Sequence, residues 1–445
     1  MISNYIKLAI RVLGRNKFFT TISLFGISFT LAILMLIISM LETEVGKTPP
    51  LSEKDKMVIV PNLQLKRIFY DTIYSYDTTM YNGEIVIDST YKLDEQGSSN
   101  SNNELAHWFL EEHLDDIPNA VNQTFFNRNQ VYNSYVNNSK VELKAVYADH
   151  RFWEVFDFKF VDGFGFNETA VENEELVAVI TDDLADKYFG RRDNVLGENI
   201  EMNGRNYSVI GVIKPAGIML LSLDIVVPYT HDHIDSQIRD ENGFGSYMAM
   251  YMGDESSDVE LIKEDINFIN SNTEVPAPAQ EYFDIIEFKP YGFHEAYAGQ
   301  ILDMNNAEQS LNVMTWVMYA LIGFLILLPT LNLINLNVGR IMERSSEIGV
   351  RKAFGADRTT ILVQFIIENI VQTFLGGLIG LGLAILGIYL INDTHLMGDI
   401  VLKVNYRFFG YSLIICLLFG LLSGILPAYR MSKMHVVSAL KQNKL

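Results

Sequence analysis

Residues 343–356, ERSSEIGVRKAFGA, form a short charged segment between two long, uncharged and mostly apolar runs, residues 313–338 and 369–391. Two further runs of this kind are residues 18–41 and 408–429. Each run is long enough to cross a bilayer as a helix, since about 20 apolar residues span the hydrocarbon core. Buried helices of a soluble protein rarely extend so far without a charged residue. The sequence therefore predicts four transmembrane helices.

The first run has an alternative interpretation as a secretory signal, because four basic residues precede it: Lys7, Arg11, Arg15 and Lys17. It is longer than the roughly 7–15 apolar residues of a signal peptide. No small-residue cleavage site follows in the segment LETEVGKTPP, residues 41–50. We therefore expect this run to be retained as a transmembrane helix.

The distribution of basic residues predicts the orientation of the helices. Residues 1–17 and 430–445 each contain four basic and no acidic side chains, and residues 339–360 contain five basic and three acidic ones. Positively charged loops stay in the cytoplasm. Both chain termini are then cytoplasmic, residues 42–312 lie outside, and the expected location is the bacterial cytoplasmic (inner) membrane.

The outer segment accounts for the acidity of the whole chain. Residues 42–312 contain 48 acidic and 19 basic side chains, a net charge of −29, whereas the full chain carries −20. Two interpretations stay open: a solvated surface, or an electrostatic preference for cationic peptides. The single cysteine, Cys416, lies in the fourth run, so this outer domain has no disulfide and is held together by its own core.

Within the outer segment, residues 176–181 (LVAVIT) are typical of a short buried strand. Asp182 and Asp183 are placed to cap a following helix, and Gly190 is placed to end it. Residues 199–213 predict a β-hairpin, because Asn203-Gly204 suits a type I′ turn.

Two other parts of the outer segment differ in character. The polar run 94–103 (DEQGSSNSNN) is predicted to be a mobile loop. A helical pattern at residues 295–311 is predicted to continue into the second transmembrane helix as a stalk. The expected fold class is an α-helical membrane protein with four transmembrane helices and a large mixed α+β extracytoplasmic domain between the first and second helices.

The charged segment itself is predicted to be a short amphipathic helix on the cytoplasmic side. Its charged side chains share one helical face at spacings of three and four: Arg344, Glu347 and Arg351. An apolar strip lies beside them: Val350, Ala353 and Phe354. Lys352 occupies the last turn and Gly355 can end the helix. Such a helix either rests on lipid headgroups or docks a cytoplasmic partner.

Residues 331–356, LNLINLNVGRIMERSSEIGVRKAFGA, resemble the signature of MacB/FtsX-type ABC transporter permeases. The matching positions are Asn335, Glu343, Arg344, Glu347, Ile348, Gly349, Arg351, Lys352, Ala353, Gly355 and Ala356. Similar likenesses occur in QFIIEN (364–369), in the ending 424–441 and in the N-terminal residues 6–29. Residues 149–163 and 176–204 resemble the MacB periplasmic core, whereas residues 51–130 match poorly.

The resemblance implies that the charged segment is a coupling helix held in a groove of an ATPase subunit. The residues implied in this contact are Glu343, Arg344, Glu347, Ile348, Gly349, Arg351, Lys352, Ala353, Phe354 and Gly355. The implied function is that of a permease subunit that couples ATP hydrolysis to motion of the outer domain, for export or extrusion of a substrate. The alternative is an FtsX-like subunit that signals to an extracytoplasmic enzyme or senses a peptide.

The resemblance also implies partners: a second permease copy or a paralogue, membrane lipids, a periplasmic adaptor and an outer-membrane channel, but no nucleic acid. The 445 residues contain no G-x-x-x-x-G-K-[ST] phosphate loop. We therefore expect ATP to be used by a separate ATPase subunit, with no cofactor, catalytic residue or metal in this chain. The pair His231 and His233 is too weak a pattern to predict a metal site.

Glycines at a spacing of four are predicted to let helices pack closely, either within the chain or across a dimer: Gly376, Gly380, Gly420 and Gly424. Gln364 and Glu368 are costly inside a membrane and need a partner unless they lie at headgroup depth. A third hypothesis, an intramembrane enzyme, would use Glu368.

The predicted division of the chain follows its charges, its apolar runs and the resemblance. The segments are 1–17, cytoplasmic amphipathic helix; 18–41, first transmembrane helix; 42–312, extracytoplasmic MacB-like core domain with stalk; 313–338, second transmembrane helix; 339–360, cytoplasmic coupling segment; 361–392, third transmembrane helix; 393–407, extracytoplasmic loop; 408–429, fourth transmembrane helix; and 430–445, cytoplasmic tail.

Overall fold

The structure is a computed structural model in which the chain forms two compact units, Met1–Gly46 with Asn312–Leu445, and Lys47–Leu311. The residues that it describes are 7, 11, 14–15, 17–47, 49–81, 84–128, 130–136, 139–214, 222–232, 242–302, 307–343, 350, 354, 358–394, 402–415, 417–418 and 421.

The secondary-structure elements are named in chain order. The helices are α1 (Lys17–Val45), α2 (His107–His113), α3 (Phe152–Val155), α4 (Glu168–Glu172), α5 (Asp182–Phe189), α6 (Asp258–Asn272), α7 (Phe293–Leu302), α8 (Ala307–Glu343) and α9 (Arg358–Asp393). The strands are β1 (Met57–Val60), β2 (Leu63–Tyr81), β3 (Glu84–Leu105), β4 (Asn122–Asn127), β5 (Gln130–Val136), β6 (Ser139–Ala148), β7 (Phe160–Gly163), β8 (Val177–Thr181), β9 (Asn199–Met202), β10 (Arg205–Ile213), β11 (Ile225–Pro228), β12 (Phe244–Gly245), β13 (Tyr247–Met252), β14 (Ile285–Glu287) and β15 (Tyr291–Gly292).

The described strands of the unit Lys47–Leu311 are joined in one mixed arrangement. The main order is β14-β2-β3-β13-β4-β6-β11-β8-β10-β7. Strand β1 pairs with β13, and β15 pairs with β1. Strands β12, β5 and β9 pair with β3, β6 and β10 respectively. The pairs β11–β6 and β10–β8 are parallel, and the remaining described pairs are antiparallel. The prediction of a mixed α and β outer domain is confirmed.

The segment around β8 follows the sequence pattern with one correction. Strand β8, helix α5 and the hairpin β9–β10 occupy the predicted positions, and Gly190 ends α5 with a φ of 68°. The cap is Thr181 rather than Asp182 or Asp183, because the Thr181 hydroxyl accepts a hydrogen bond from the Leu184 amide at 3.2 Å. The two aspartates lie in the first turn, where negative charge complements the helix dipole.

The hairpin turn between β9 and β10 has the predicted geometry. Asn203 and Gly204 have φ angles of 52° and 74°, as a type I′ turn requires. By contrast, the prediction of a mobile loop at residues 94–103 is wrong, because these residues belong to β3 and pair with β2. Low hydrophobicity did not prevent strand formation, since the neighbouring strand supplies a complete backbone partner for this polar segment.

The core of this unit lies between the sheet and the helices that cover it. Its buried members include Phe109 and Leu110 from α2, Leu184 from α5, and Ile262 and Ile266 from α6, each with 0% exposure. Fully burying one such side chain contributes about 1.5–3 kcal/mol, and these residues belong to one contiguous cluster. The described part of the domain thus has a core of its own.

The other unit contains the long apolar helices. Two segments are long and apolar enough to cross a membrane among the residues described, Thr20–Glu42 in α1 and Ile366–Asp393 in α9. The predicted second span lies within α8, a continuous helix of 37 residues. Residues 406–415 are helical, and the Asn405 side chain accepts hydrogen bonds from the Arg407 and Phe408 amides at 3.0 Å each. Half of the predicted fourth span, 11 of its 22 residues, and most of residues 1–17 lie outside the described residues.

Candidate functional site

The predicted coupling segment follows α8, whose last residue is Glu343. Arg344, Glu347, Ile348, Gly349, Arg351, Lys352, Ala353 and Gly355 lie outside the described residues. Val350 and Phe354 are described, and the Phe354 amide donates to the Val350 carbonyl at 3.1 Å, which is the spacing of one α-helical turn. The Phe354 side chain is 88% exposed, so it is available to a partner or to lipid headgroups.

The apolar helices α1 and α9 approach closely where α9 carries glycines. A Cβ placed on Gly376 would lie 2.8 Å from Ile27 Cγ2. A Cβ placed on Gly380 would lie 2.8 Å from the backbone oxygen of Ser28 and 3.2 Å from Leu31 Cβ. The structure therefore places both glycines against α1 of the same chain. Gly420 and Gly424 lie outside the described residues.

Further contacts extend this interface along α9. A Cβ on Gly387 would lie 3.4 Å from Leu36 Cδ1, so the contacts advance along α1 and α9 in the same direction. The two helices are thus parallel, as the four-span prediction requires of the first and third spans. Gly377 meets Leu413, whose Cδ1 atom would lie 2.5 Å from an added Cβ. Sequence reasoning missed Gly377 and Gly387, because a spacing of four within the third run singles out Gly376 and Gly380.

A polar stripe continues the glycine stripe of α9 at the same spacing of four residues. Its members are Gln364, Glu368 and Gln372. Glu368 is buried within the protein, with 3% exposure, and both Gln364 and Glu368 have an interaction partner. Gln372 is 0% exposed, and neither its amide oxygen nor its amide nitrogen has a hydrogen-bond partner in the part of the chain that is described.

Two hydroxyl groups near the level of Gln372 along the helices, those of Ser23 and Thr373, are also buried without a described hydrogen-bond partner. Thr373 is its neighbour, and Ser23 lies four residues before Ile27 on α1, as Gln372 lies four residues before Gly376 on α9. Both side-chain oxygens are buried without a described partner. An unpaired buried amide costs about 1–3 kcal/mol. The interface therefore combines close glycine packing with polar groups whose bonding capacity is unused in this state.

Replacing Gln372 with methionine is expected to stabilise the helix pair, because it removes an unsatisfied amide at nearly constant volume. We expect a gain of about 1 kcal/mol in unfolding free energy. The measurement is thermal unfolding of the full chain in detergent. Gln364→Met is the matched control on the same helix face, and it should not stabilise, since Gln364 has a partner. Equal effects of the two substitutions would contradict the assignment.

The C-terminal ends of α1 and α9 form hydrogen bonds to the segment that follows α9. The Asn392 amide donates to the Leu402 carbonyl and accepts from the Leu402 amide, each at 3.0 Å. The Ser39 hydroxyl donates to the Lys403 carbonyl at 2.6 Å. These contacts were not predicted, because a single Asn or Ser in an apolar run does not reveal its partner. They fix the far end of the interface.

The outer domain contains a polar groove of about 550 Å³ beside the base of the β2–β3 hairpin. Its lining includes the polar residues Gln64, Asn102 and Lys289 and the apolar residues Ile59 and Met248. Its charged lining is paired internally: Glu287 contacts Lys289 at 2.8 Å and also Lys66, and Arg128 contacts Glu104 at 3.3 Å. Burial raises the pKa of the Glu287 carboxyl, but the two lysines outweigh this and hold the pKa below its ordinary value.

His231, the first histidine of the pair considered for metal binding, has a structural role. His231 is 3% exposed, its Nδ1 lies 3.0 Å from an Arg205 guanidinium nitrogen, and its Nε2 lies 3.0 Å from the Glu175 carbonyl oxygen. Both ring nitrogens are therefore occupied by protein groups. His233 lies outside the described residues.

Two known domain families match this chain, and together with its relatives they define its class, a membrane permease of the ABC-transporter type. Residues 20–267 match the MacB-like periplasmic core domain, and residues 319–436 match the FtsX-like permease C-terminal domain. The first of these matches alone covers more than half of the 445 residues, and the chain belongs to the family of MacB/FtsX-like permeases.

Several proteins are similar to this chain along much of its length. The ABC transporter permease YknZ of Bacillus subtilis is 24% identical over 363 residues, which cover 76% of this chain and 84% of YknZ. The macrolide export ATP-binding/permease protein MacB of Bdellovibrio bacteriovorus is 28% identical over 294 residues. That match covers 62% of this chain but only 40% of the MacB protein.

Among solved structures, the extracellular domain of the transporter YknZ from Gram-positive bacteria matches 41% of this chain and 88% of that domain. Its sequence identity is 14% and its TM-score is 0.30.

Proposed function

We propose that this permease couples ATP hydrolysis by a separate ATPase subunit to motion of its extracytoplasmic domain, and that this motion exports or extrudes a substrate. The coupling contact would be the segment from Glu343 to Gly355, and two permease copies or paralogues would act together. The coupling helix would pass force to the membrane helices, which would pass it to the outer domain. No step of this scheme requires catalytic chemistry by the permease chain.

The observation that carries the proposal is the continuous helix α8. It begins at Ala307, before the predicted second span, and ends at Glu343, where the coupling segment begins. A helix transmits displacement along its axis because its backbone hydrogen bonds resist stretching and bending. The exposed Phe354 further supports a docking contact, since a large aromatic side chain left open to solvent is typical of a binding anchor.

The relatives support export as the outcome. MacB proteins are named for macrolide export and combine ATP-binding and permease functions, and this chain spans about 40% of their length. The Bacillus permease YknZ is covered over 84% of its own length, which suits a permease subunit that works with a separate ATPase. The signalling alternative has less support, because the outer domain is much larger than that of a typical FtsX-like regulator.

The ATPase contact is tested by reversing one charge on the coupling segment. Glu347→Lys should reduce co-purification of the ATPase at least tenfold, because it removes the pairing that spacing predicts with Arg344 and Arg351 and presents a cation to the partner groove. Loss of fold is not expected, since such helix pairs contribute only about 0.2–0.5 kcal/mol each. The measurement is the ratio of ATPase to permease after affinity purification of the full complex.

Glu281→Lys is the matched control, because Glu281 is an exposed acidic residue of the outer domain. It should leave ATPase recovery unchanged. If the Glu347→Lys protein accumulates normally, binds the ATPase and stimulates its hydrolysis as the unmodified chain does, the coupling assignment is wrong.

A further inference from the structure

The hairpin β2–β3 is much longer than the sheet that holds it. Strand β14 pairs with β2 at residues 64–66, and β12 and β13 pair with β3 at residues 104–105. Residues 69–81 of β2 and 84–97 of β3 pair only with each other among the described strands. The part of β2 from Phe69 to Tyr81 is about 43 Å long at 3.3 Å per residue. We call this part, residues 69–81 and 84–97, the arm.

One side of the arm carries a row of large exposed side chains. Successive residues of a strand point to opposite faces, so Tyr70, Tyr74 and Tyr76 share one face of β2. Tyr91 is paired with Tyr74, and Leu93 is paired with Thr72, on the same face. We call this set the tyrosine face: Tyr70, Tyr74, Tyr76, Tyr91 and Leu93. Their exposed fractions lie between 53% and 70%.

The tyrosine face is a patch of five neighbouring exposed side chains rather than a single exposed residue. A two-stranded hairpin is only marginally stable in water unless a third strand or another element packs on it. Contiguous exposed apolar surface on a soluble domain marks an interaction site. Five of the 27 residues of the arm are tyrosines, a residue that gives protein-binding surfaces large and rigid contact area. We therefore expect another polypeptide to pack on the tyrosine face of the arm.

The charge of the arm indicates what covers it. Residues 69–103 contain six acidic side chains and one basic side chain, Lys92, for a net charge of −5. Asp71 and Asp94 are paired across the strands on the face opposite the tyrosines, and Glu95 is paired with Tyr70. A second copy would bring a second charge of −5 to the contact, which is repulsive. A basic partner is attracted to the arm, and its cations can also lie over the tyrosine rings.

We propose that the tyrosine face docks a basic polypeptide outside the cytoplasm, which is a separate protein rather than a second copy of this chain. Lysine or arginine side chains of the partner lie over the rings of Tyr74 and Tyr91, and its apolar side chains pack on Leu93. The acidic side chains of the arm steer the partner to this surface. The contact is independent of the coupling segment on the other side of the membrane.

The test is photo-crosslinking in cells that produce the full chain, with benzoylphenylalanine at position 74 or 91. We expect one crosslinked protein, joined through a peptide rich in lysine and arginine. Replacing Tyr70 and Tyr76 with serine should lower the yield from position 74 at least tenfold. Asp71→Lys with Glu95→Lys should lower it as well, since these changes reverse the charge that attracts the partner.

Controls use tyrosines of similar exposure elsewhere in the domain. Benzoylphenylalanine at Tyr135, which is 70% exposed in β5, should give no such product. The substitution Tyr282→Ser, at a side chain 53% exposed, should leave the yield from position 74 unchanged. The proposal is overturned if the product is a dimer of this chain, if the crosslinked peptide is acidic, or if position 74 gives no more product than position 135.

Discussion

Gly380→Leu is expected to separate α1 from α9 and to abolish accumulation of the folded membrane unit. A Cβ at this position would lie 2.8 Å from the backbone oxygen of Ser28, and the rest of the leucine would extend into α1. A side-chain neighbour could rotate away, but a backbone oxygen moves only if the helix moves. Overpacking typically costs about 1–3 kcal/mol, and a backbone clash lies at the upper end of that range or beyond it.

The matched control is Gly382→Leu on the same helix. A Cβ at Gly382 meets nothing within 4 Å, and the change removes the same glycine and adds the same four carbon atoms. Both substitutions raise helix propensity by about 1 kcal/mol, so propensity cannot explain a difference between them. The measurement is the amount of monodisperse full-length protein recovered from membranes. Equal recovery of the two variants would mean that the helix contact does not hold the unit together.

The contact between α1 and α9 could be predicted from the sequence only in part. Spacing drew attention to Gly376 and Gly380 but left open whether they pack within the chain or across a dimer. The structure places them against Ile27, Ser28 and Leu31 of α1. Spacing is a property of one helix, whereas a contact depends on two, and nothing in the third run specifies which helix faces it. Gly377 and Gly387 were missed because a spacing of four within the third run selects only Gly376 and Gly380.

The outer domain was predictable where local chemistry determines conformation. The turn at Asn203-Gly204 and the helix end at Gly190 both need positive φ angles, and few residues supply them cheaply. The order of the strands was not predictable, because pairing such as β6 with β11 joins residues about 80 positions apart. The polar half of β3 was missed because its backbone partner, β2, compensates for a composition that favours a loop.

A flexible insertion in α8 is expected to abolish the transmission of force while leaving the parts intact. The boundary between the two units falls between Leu311 and Asn312, inside α8. Seven glycine and serine residues inserted there would replace a rigid helix with a random coil, which cannot carry displacement. The matched control is an insertion of seven alanine-rich, helix-forming residues. It adds about two turns, lengthens the helix by about 10 Å and keeps it continuous.

The measurement uses the purified complex with its ATPase, a Cys416→Ser background and a spin label at Tyr135→Cys in each permease copy. We expect ATP to change the distance between the labels in the unmodified protein and in the helical insertion. In the flexible insertion, ATPase binding and hydrolysis should persist and the ATP-dependent distance change should be lost. If the flexible insertion responds to ATP as the helical one does, α8 does not transmit the motion. The outer domain would then have to move through contacts of its own with α1.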